Sequence, residues 1–128
     1  MTEEFDYITT IEALALHAIG LKKYRGALGV RDIGALESAL FRPQTGYYKD
    51  LIEEAAALFE SLAVINPFVD GNKRVAFAVT DTFLRINGFQ ISSSSKEIHK
   101  KMIDLFDTNS FEFNNLEPWL RSIVKKSE

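Results

Sequence analysis

Nine residues near the middle of the chain carry the types that do chemistry: Asn66-Pro67-Phe68-Val69-Asp70-Gly71-Asn72-Lys73-Arg74. Gly71 lets a backbone approach a ligand closely. If a helix opens at Asn72, the N–H groups of Asn72, Lys73 and Arg74 lack partners within it and point outward, where an anion can take them. Lys73 and Arg74 add positive charge, and an arginine grips a phosphate with two parallel bonds. Asp70 is an acid beside this anion site. A carboxylate belongs there if it holds a divalent cation that itself holds phosphates, since Mg²⁺ prefers one or two carboxylates plus phosphate oxygens. Phe68 is expected to plug into the core and fix the loop. The plainer alternative is a turn rich in Asn and Gly with a basic helix start, but a turn does not require Asp, Asn, Lys and Arg in this order.

Two helices must position this stretch. Upstream, Leu51, Ala55, Leu58, Leu62 and Ile65 recur at spacings of three and four. Downstream, Val75, Ala76, Val79, Phe83 and Ile86 do the same before Asn87-Gly88. The periods predict helices over Leu51–Ile65 and Asn72–Ile86, with the nine residues as their joint.

The remaining chain also reads as helical. A first helix is expected over residues 8–24, capped by Thr9 or Thr10, with Ile11, Leu14, Ala15, Ala18 and Leu21 or Ile19 as its apolar stripe. It ends in Lys22, Lys23, Tyr24 and Arg25, which suits a helix C-terminus. After the glycine-punctuated stretch Gly26–Arg31, Asp32 caps a short helix over Ile33–Phe41 with Leu36, Ala39 and Leu40 inward. Phe89-Gln90-Ile91 reads as extended. Ser94 or Ser95 caps a helix over Lys96–Phe106. A last helix is expected over Asn115–Val124, with Glu117 and Pro118 in its first turn and Trp119 in the core. The tail Lys125–Glu128 is expected to fray. His17 and His99 are lone helical histidines, read as surface or packing residues. Adjacent Glu53 and Glu54 face different directions on a helix and are read as solvated.

At 128 residues the chain is expected to be one all-α domain, and 46% apolar residues with ten Phe suffice for one core. With no Cys there is no disulfide frame and no thiolate metal site. An acidic start without an apolar signal core, and no run near the ~20 apolar residues of a membrane span, point to a cytoplasmic protein. A net charge of −3 argues against broad nucleic-acid binding.

The central stretch resembles the motif of the Fic/Doc family, His-x-Phe-x-Asp/Glu-Gly/Ala-Asn-Gly/Lys-Arg. It matches at Phe68, Asp70, Gly71, Asn72, Lys73 and Arg74, and departs at Asn66, where the family carries its catalytic histidine. More weakly, Leu36-Glu37-Ser38-Ala39-Leu40 followed by Arg42-Pro43 resembles the family's helix and flap, which makes residues 42–48 a candidate protein-docking edge; an ordinary interhelix loop is the alternative. The resemblance implies a compact bundle of about six helices with the motif loop between two central ones.

Members that transfer AMP from ATP to a protein hydroxyl generally have Gly before the motif Arg and a second Arg three residues later. Here Lys73 precedes Arg74 and Phe77 stands at the later position, a Doc-like pattern. That branch is implied to transfer the γ-phosphoryl group instead, to a threonine of elongation factor Tu, blocking translation. By the same resemblance the position of Asn66, with Asp70, Lys73 and Arg74, is catalytic. Phe68, Gly71, Asn72, Lys73 and Arg74 hold the ATP, and Asp70 holds Mg²⁺. A carboxamide cannot replace the general base, so this chain is expected to be inactive. Because the other matched polar positions are intact, selected or engineered inactivation of a toxin is favoured over decay. An AMP transferase and a non-catalytic nucleotide- or partner-binding pseudoenzyme are the alternatives. The chain has no Glu-Gly or Glu-Asn, so the family's self-inhibitory motif is absent, and a separate antitoxin that folds a helix into a groove is implied as partner.

Overall fold

The computed structural model describes residues 4–128. Six helices are joined in the order α1 (Thr10–Tyr24), α2 (Ile33–Phe41), α3 (Leu51–Ile65), α4 (Asn72–Ile86), α5 (Ser95–Asp107) and α6 (Phe113–Ile123). A 3-10 turn, Arg42–Thr45, follows α2, and two short strands, β1 (Phe89–Ile91) and β2 (Val124–Lys126), pair antiparallel. The mostly helical bundle is the one expected.

Helix α3 is the axis. Ala55, Ala56, Ala57, Leu58, Phe59, Leu62 and Ala63 are all buried around its circumference, as befits a helix enclosed on every side. Its alanines let neighbours approach, and it packs against α4, α6, α2 and the 3-10 turn. Helix α4 lies beside it through Val75, Ala76, Val79, Phe83 and Leu84, and α1 covers α4. The joint between α3 and α4 is thus held from both ends by the two best-buried helices.

Several expectations needed correction. Helix α1 begins at Thr10, not residue 8, because Thr9 closes a capping box with Glu12. Its inward face is Ala13, His17 and Leu21, while Ile11 and Ile19 are exposed. A stripe read from apolar residues alone was therefore rotated, because it left out the buried histidine. Helix α5 starts one residue early, at Ser95, with Ser94 as cap. Helix α6 starts at Phe113, where the backbone N–H donates to Glu60 Oε2 at 2.8 Å. A carboxylate from α3 sets this start, and Pro118 falls inside the helix rather than in its first turn. The tail does not fray at once: Val124–Lys126 pairs with β1, in the register Phe89 with Lys126 and Ile91 with Val124. Glu54 is buried and accepts the Tyr7 hydroxyl at 2.8 Å. Among the described residues no helix is long and apolar enough to cross a membrane.

Candidate functional site

The motif loop begins where α3 ends. Asn66 is the C-cap residue, left-handed at φ 56° and ψ 60°, a conformation that Asn and His tolerate better than most residues. Pro67 and Phe68 then turn inward. Phe68 is 1% exposed, and burying such a ring contributes about 1.5–3 kcal/mol. It anchors the loop from beneath, so it supports a ligand site without lining one. Asn72 closes the loop on itself: its Oδ1 accepts from Phe68 N at 2.9 Å and its Nδ2 donates to Phe68 O at 3.0 Å. The Asn72 carboxamide is thereby engaged by the loop, which leaves its backbone N–H as what it offers outward.

Helix α4 starts without a side-chain cap. Its N-cap residue is Gly71, left-handed at φ 75°, so no side chain competes for the first amides. Among the described residues the N–H groups of Asn72, Lys73 and Arg74 have no acceptor, and the ladder begins with Val75 N donating to Gly71 O at 3.0 Å. Open donors at the positive end of a 15-residue helix fit an anion.

Asp70 stands exposed beside them. Its Oδ1 accepts from Gly71 N at 2.7 Å and its Oδ2 from Ala27 N at 3.2 Å. The Gly71 and Ala27 amides, with Arg74 and His17 nearby, hold the Asp70 carboxyl below the usual carboxylate range. It is therefore an anion at neutral pH, with lone pairs left over for a ligand. Arg74 is exposed; its Nη2 donates to Arg25 O at 3.1 Å and its guanidinium lies 5.2 Å over the Tyr24 ring. Lys73 turns the other way, its Nζ 4.3 Å over Phe106. The described residues contain no group of three acids or histidines able to cage a metal. One free carboxylate beside open amides fits Mg²⁺ carried in with phosphates, and does not fit a resident all-protein metal site.

The segment after α1 completes the site, and the sequence reading did not foresee it. Gly29 O accepts from Val69 N at 3.1 Å, while Arg31 N and Asp32 N both donate to Pro67 O. Val30 and Phe68 form an antiparallel bridge. Residues 26–31 therefore form the strand-like edge beside the motif loop. The stretch 42–48, expected in that place, is not joined to the loop by any hydrogen bond among the described residues. Arg42 is instead drawn into α3, bonded to Glu60, Ser61 and the Ala57 carbonyl. Gly26 is required where it is: at φ 147° an added Cβ would sit 2.8 Å from Asp70 Oδ2 and from Leu21. Arg25 also has positive φ, 64°, which is strained for a non-glycine residue and aims its carbonyl at Arg74. The glycines flanking Ala27 and Leu28, directly after a basic helix end, were the available signal.

A trough of about 160 Å³ runs between α1 and α4 from this site, lined by Leu16, Ile19, Leu21, Tyr24, Val75 and Arg74 among others. With the site in view, the comparisons are decisive. The sequence profile described as Fic/DOC family matches residues 7–84. The chain belongs to the Fic/DOC family. It is 44% identical over 98 residues to "Toxin Doc" of Mycolicibacterium smegmatis, covering 73% of this chain and 71% of that one. It is 35% identical over 92 residues to "Protein kinase doc" of Escherichia phage P1, covering 69% and 73%. The family match spans α1 with its following edge and the α3–loop–α4 joint.

Proposed function

We propose that this chain is a Doc-type toxin whose site transfers the γ-phosphoryl group of ATP to a protein hydroxyl, the acceptor being a threonine of elongation factor Tu, and that Asn66 disables it. The observation that carries the reading is the uncapped start of α4 with Asp70 and Arg74 beside it, all facing solvent. The names of the two relatives, a toxin and a protein kinase, support it.

The open amides after Gly71 and the Arg74 guanidinium receive the phosphates and stabilise charge as it spreads over the transferred group. The exposed Asp70 carboxylate would hold Mg²⁺, which would supply neutralisation of phosphate charge. The edge at residues 26–31 lays the acceptor segment beside the loop. The acceptor oxygen bonds to the γ-phosphorus, the bond to the β-phosphate oxygen breaks, and ADP leaves. The proton of the hydroxyl must go to residue 66. Asn66 has no site to take it, which costs ~10²–10⁴ in rate. The left-handed cap at 66 suits His as well as Asn, so the repair is sterically permitted.

The test is Asn66→His with Mg-ATP and a cell extract, read by intact-mass spectrometry and by growth on expression. A phosphate added to one translation factor, with growth arrest, is expected. An added AMP would move the chain to the AMP-transferring branch. No modification and no arrest would overturn the enzyme reading in favour of a binding module, for which Asn66 is the one sequence feature. The apolar trough between α1 and α4, with Arg74 at its end, suits a helix from a cognate antitoxin. Co-expression with the neighbouring small open reading frame should relieve the arrest caused by Asn66→His.

A further inference from the structure

We infer that His17 is a positioning residue for Asp70, acting across α1 on the backbone of the motif loop. This rests on the proposed site, and only its metal-binding arm depends on that reading. His17 is 7% exposed, in a helix whose polar residues otherwise face solvent. Its ring lies 3.8 Å from the Phe68 ring, 11° from parallel. Its Nε2 is 2.8 Å from the Asp70 carbonyl oxygen. A carbonyl only accepts, so Nε2 is the donor. One imidazole thus touches two motif residues, the buried anchor at 68 and the acid at 70.

The consequence is directional. The Asp70 side chain is pinned on its far side by Ala27 N and locally by Gly71 N. Its backbone has His17 as the only side-chain donor among the described residues. Remove that donor and the carbonyl loses its bond in a half-buried place, and the peptide between Asp70 and Gly71 loses the contact that sets its tilt between the Val69–Gly29 and Val75–Gly71 bonds. The carboxylate is then held by the Ala27 and Gly71 amides alone, a looser hold on the same position. Gly71 belongs to the same arrangement: an added Cβ there would lie 3.7 Å from His17 Nε2. A histidine that only filled space would need the stack on Phe68 and nothing from Nε2.

Two substitutions separate the roles. His17→Phe keeps a ring on Phe68 and loses the donor. His17→Gln loses the ring and places an N–H near the Nε2 position. Binding of Mn²⁺ with a non-hydrolysable ATP analogue is measured by electron paramagnetic resonance on the otherwise unchanged chain, alongside thermal melts. Outer partners of metal-holding groups are worth ~10–100-fold in metal affinity. We expect at least about tenfold weaker binding in His17→Phe, with most of it recovered in His17→Gln although that variant melts lower. The reverse order, with Phe binding as well as His and Gln binding worse, would reduce His17 to packing. If the parent itself binds no Mn²⁺–nucleotide, the proposed function fails, and amide exchange at Ala27 and Gly71 decides the positioning role. Faster exchange at both in His17→Phe alone upholds it; equal exchange in all three proteins overturns it.

Discussion

Arg42 and Arg74 both sit at helix-to-helix joints, both next to α3, and both in stretches that resemble family motifs. Their surroundings differ. Arg42 Nη1 meets Glu60 Oε1 at 2.6 Å and Ser61 Oγ at 2.9 Å, and its Nε meets the Tyr48 hydroxyl at 2.8 Å. Glu60 uses its other oxygen on the start of α6. That guanidinium is partly buried, bonded through Nε and Nη1, and ties α2, α3 and α6 together. Among the described residues Arg74 makes one hydrogen bond, to a carbonyl that a strained Arg25 turns toward it, and its side chain lines the trough. A closed arginine holds a fold, and an open one beside uncapped amides waits for an anion. The difference lies in whether a carboxylate on a neighbouring element reaches the guanidinium.

Exchanging the losses breaks the comparison if it is wrong. Arg74→Ala removes a charge-assisted contact to phosphate worth about 1.5–3 kcal/mol, or roughly 10–150-fold in nucleotide affinity. It should leave urea stability within about 0.5 kcal/mol, as expected for an exposed side chain. Arg42→Ala should do the opposite. Its pair is partly solvated, so the cost is discounted to about 2 kcal/mol of stability, with nucleotide affinity unchanged in the folded protein. Isothermal titration and urea melts on both variants decide it. An Arg42→Ala protein that melts like its parent, or an Arg74→Ala protein that binds nucleotide like its parent, would remove the distinction.

Glycines sharpen the same contrast at smaller scale. Gly26 is pressed against Asp70, whereas Gly20 in α1 has no atom within 4 Å of an added Cβ. Gly26→Ala forces both the strained backbone and Asp70 to move, a cost of about 1–3 kcal/mol, and nucleotide binding should weaken with it. Gly20→Ala removes a helical glycine and should stabilise the chain by about 0.5–1 kcal/mol. Paired thermal melts test both; a Gly26→Ala protein as stable as its parent would mean the edge at 26–31 does not constrain Asp70.

The helices were legible wherever the signal was local. Leu51–Ile65 and Asn72–Ile86 end where their caps and glycines put them, and Ile33–Phe41 follows from Asp32. The motif residues were legible as a set because their order is fixed. What the sequence concealed were tertiary decisions. Glu60 starts α6 from another helix, so no pattern near Phe113 could mark it. Residues 26–31 take the place beside the loop through bonds to Pro67 and Val69, while Arg42 is held by Glu60 and Ser61. A lone helical His17 reads as a surface or a packing residue, and only the tertiary contacts to Phe68 and the Asp70 carbonyl decide for packing. Adjacent Glu53 and Glu54 looked alike and parted, since Tyr7 comes from the chain's start to meet only one of them.

That last pair gives the smallest effect, and it asks whether the closed polar contacts on α3 hold the fold. Burial, then the bond to Glu54 and its charge, push the Tyr7 hydroxyl from 10.0 up to about 12. The folded state therefore keeps this proton where the unfolded chain releases it. Stability from Tyr7 is fully present below pH ~10 and drains as pH rises through about 12. Glu54 is also raised, by burial first, while the Tyr7 bond opposes the rise. Between its ordinary 4.5 and its raised value, stability falls as pH rises. Tyr7→Phe should cost about 1–2 kcal/mol at neutral pH by leaving Glu54 without its donor. It should also flatten the alkaline limb and carry the Glu54 slope to higher pH. Urea midpoints across the range measure all three. If the Tyr7→Phe curve runs parallel to the parent's above pH ~10, the hydroxyl is not held by Glu54 as the 2.8 Å contact implies. Such a result would leave Arg42 as the tested closed contact on α3.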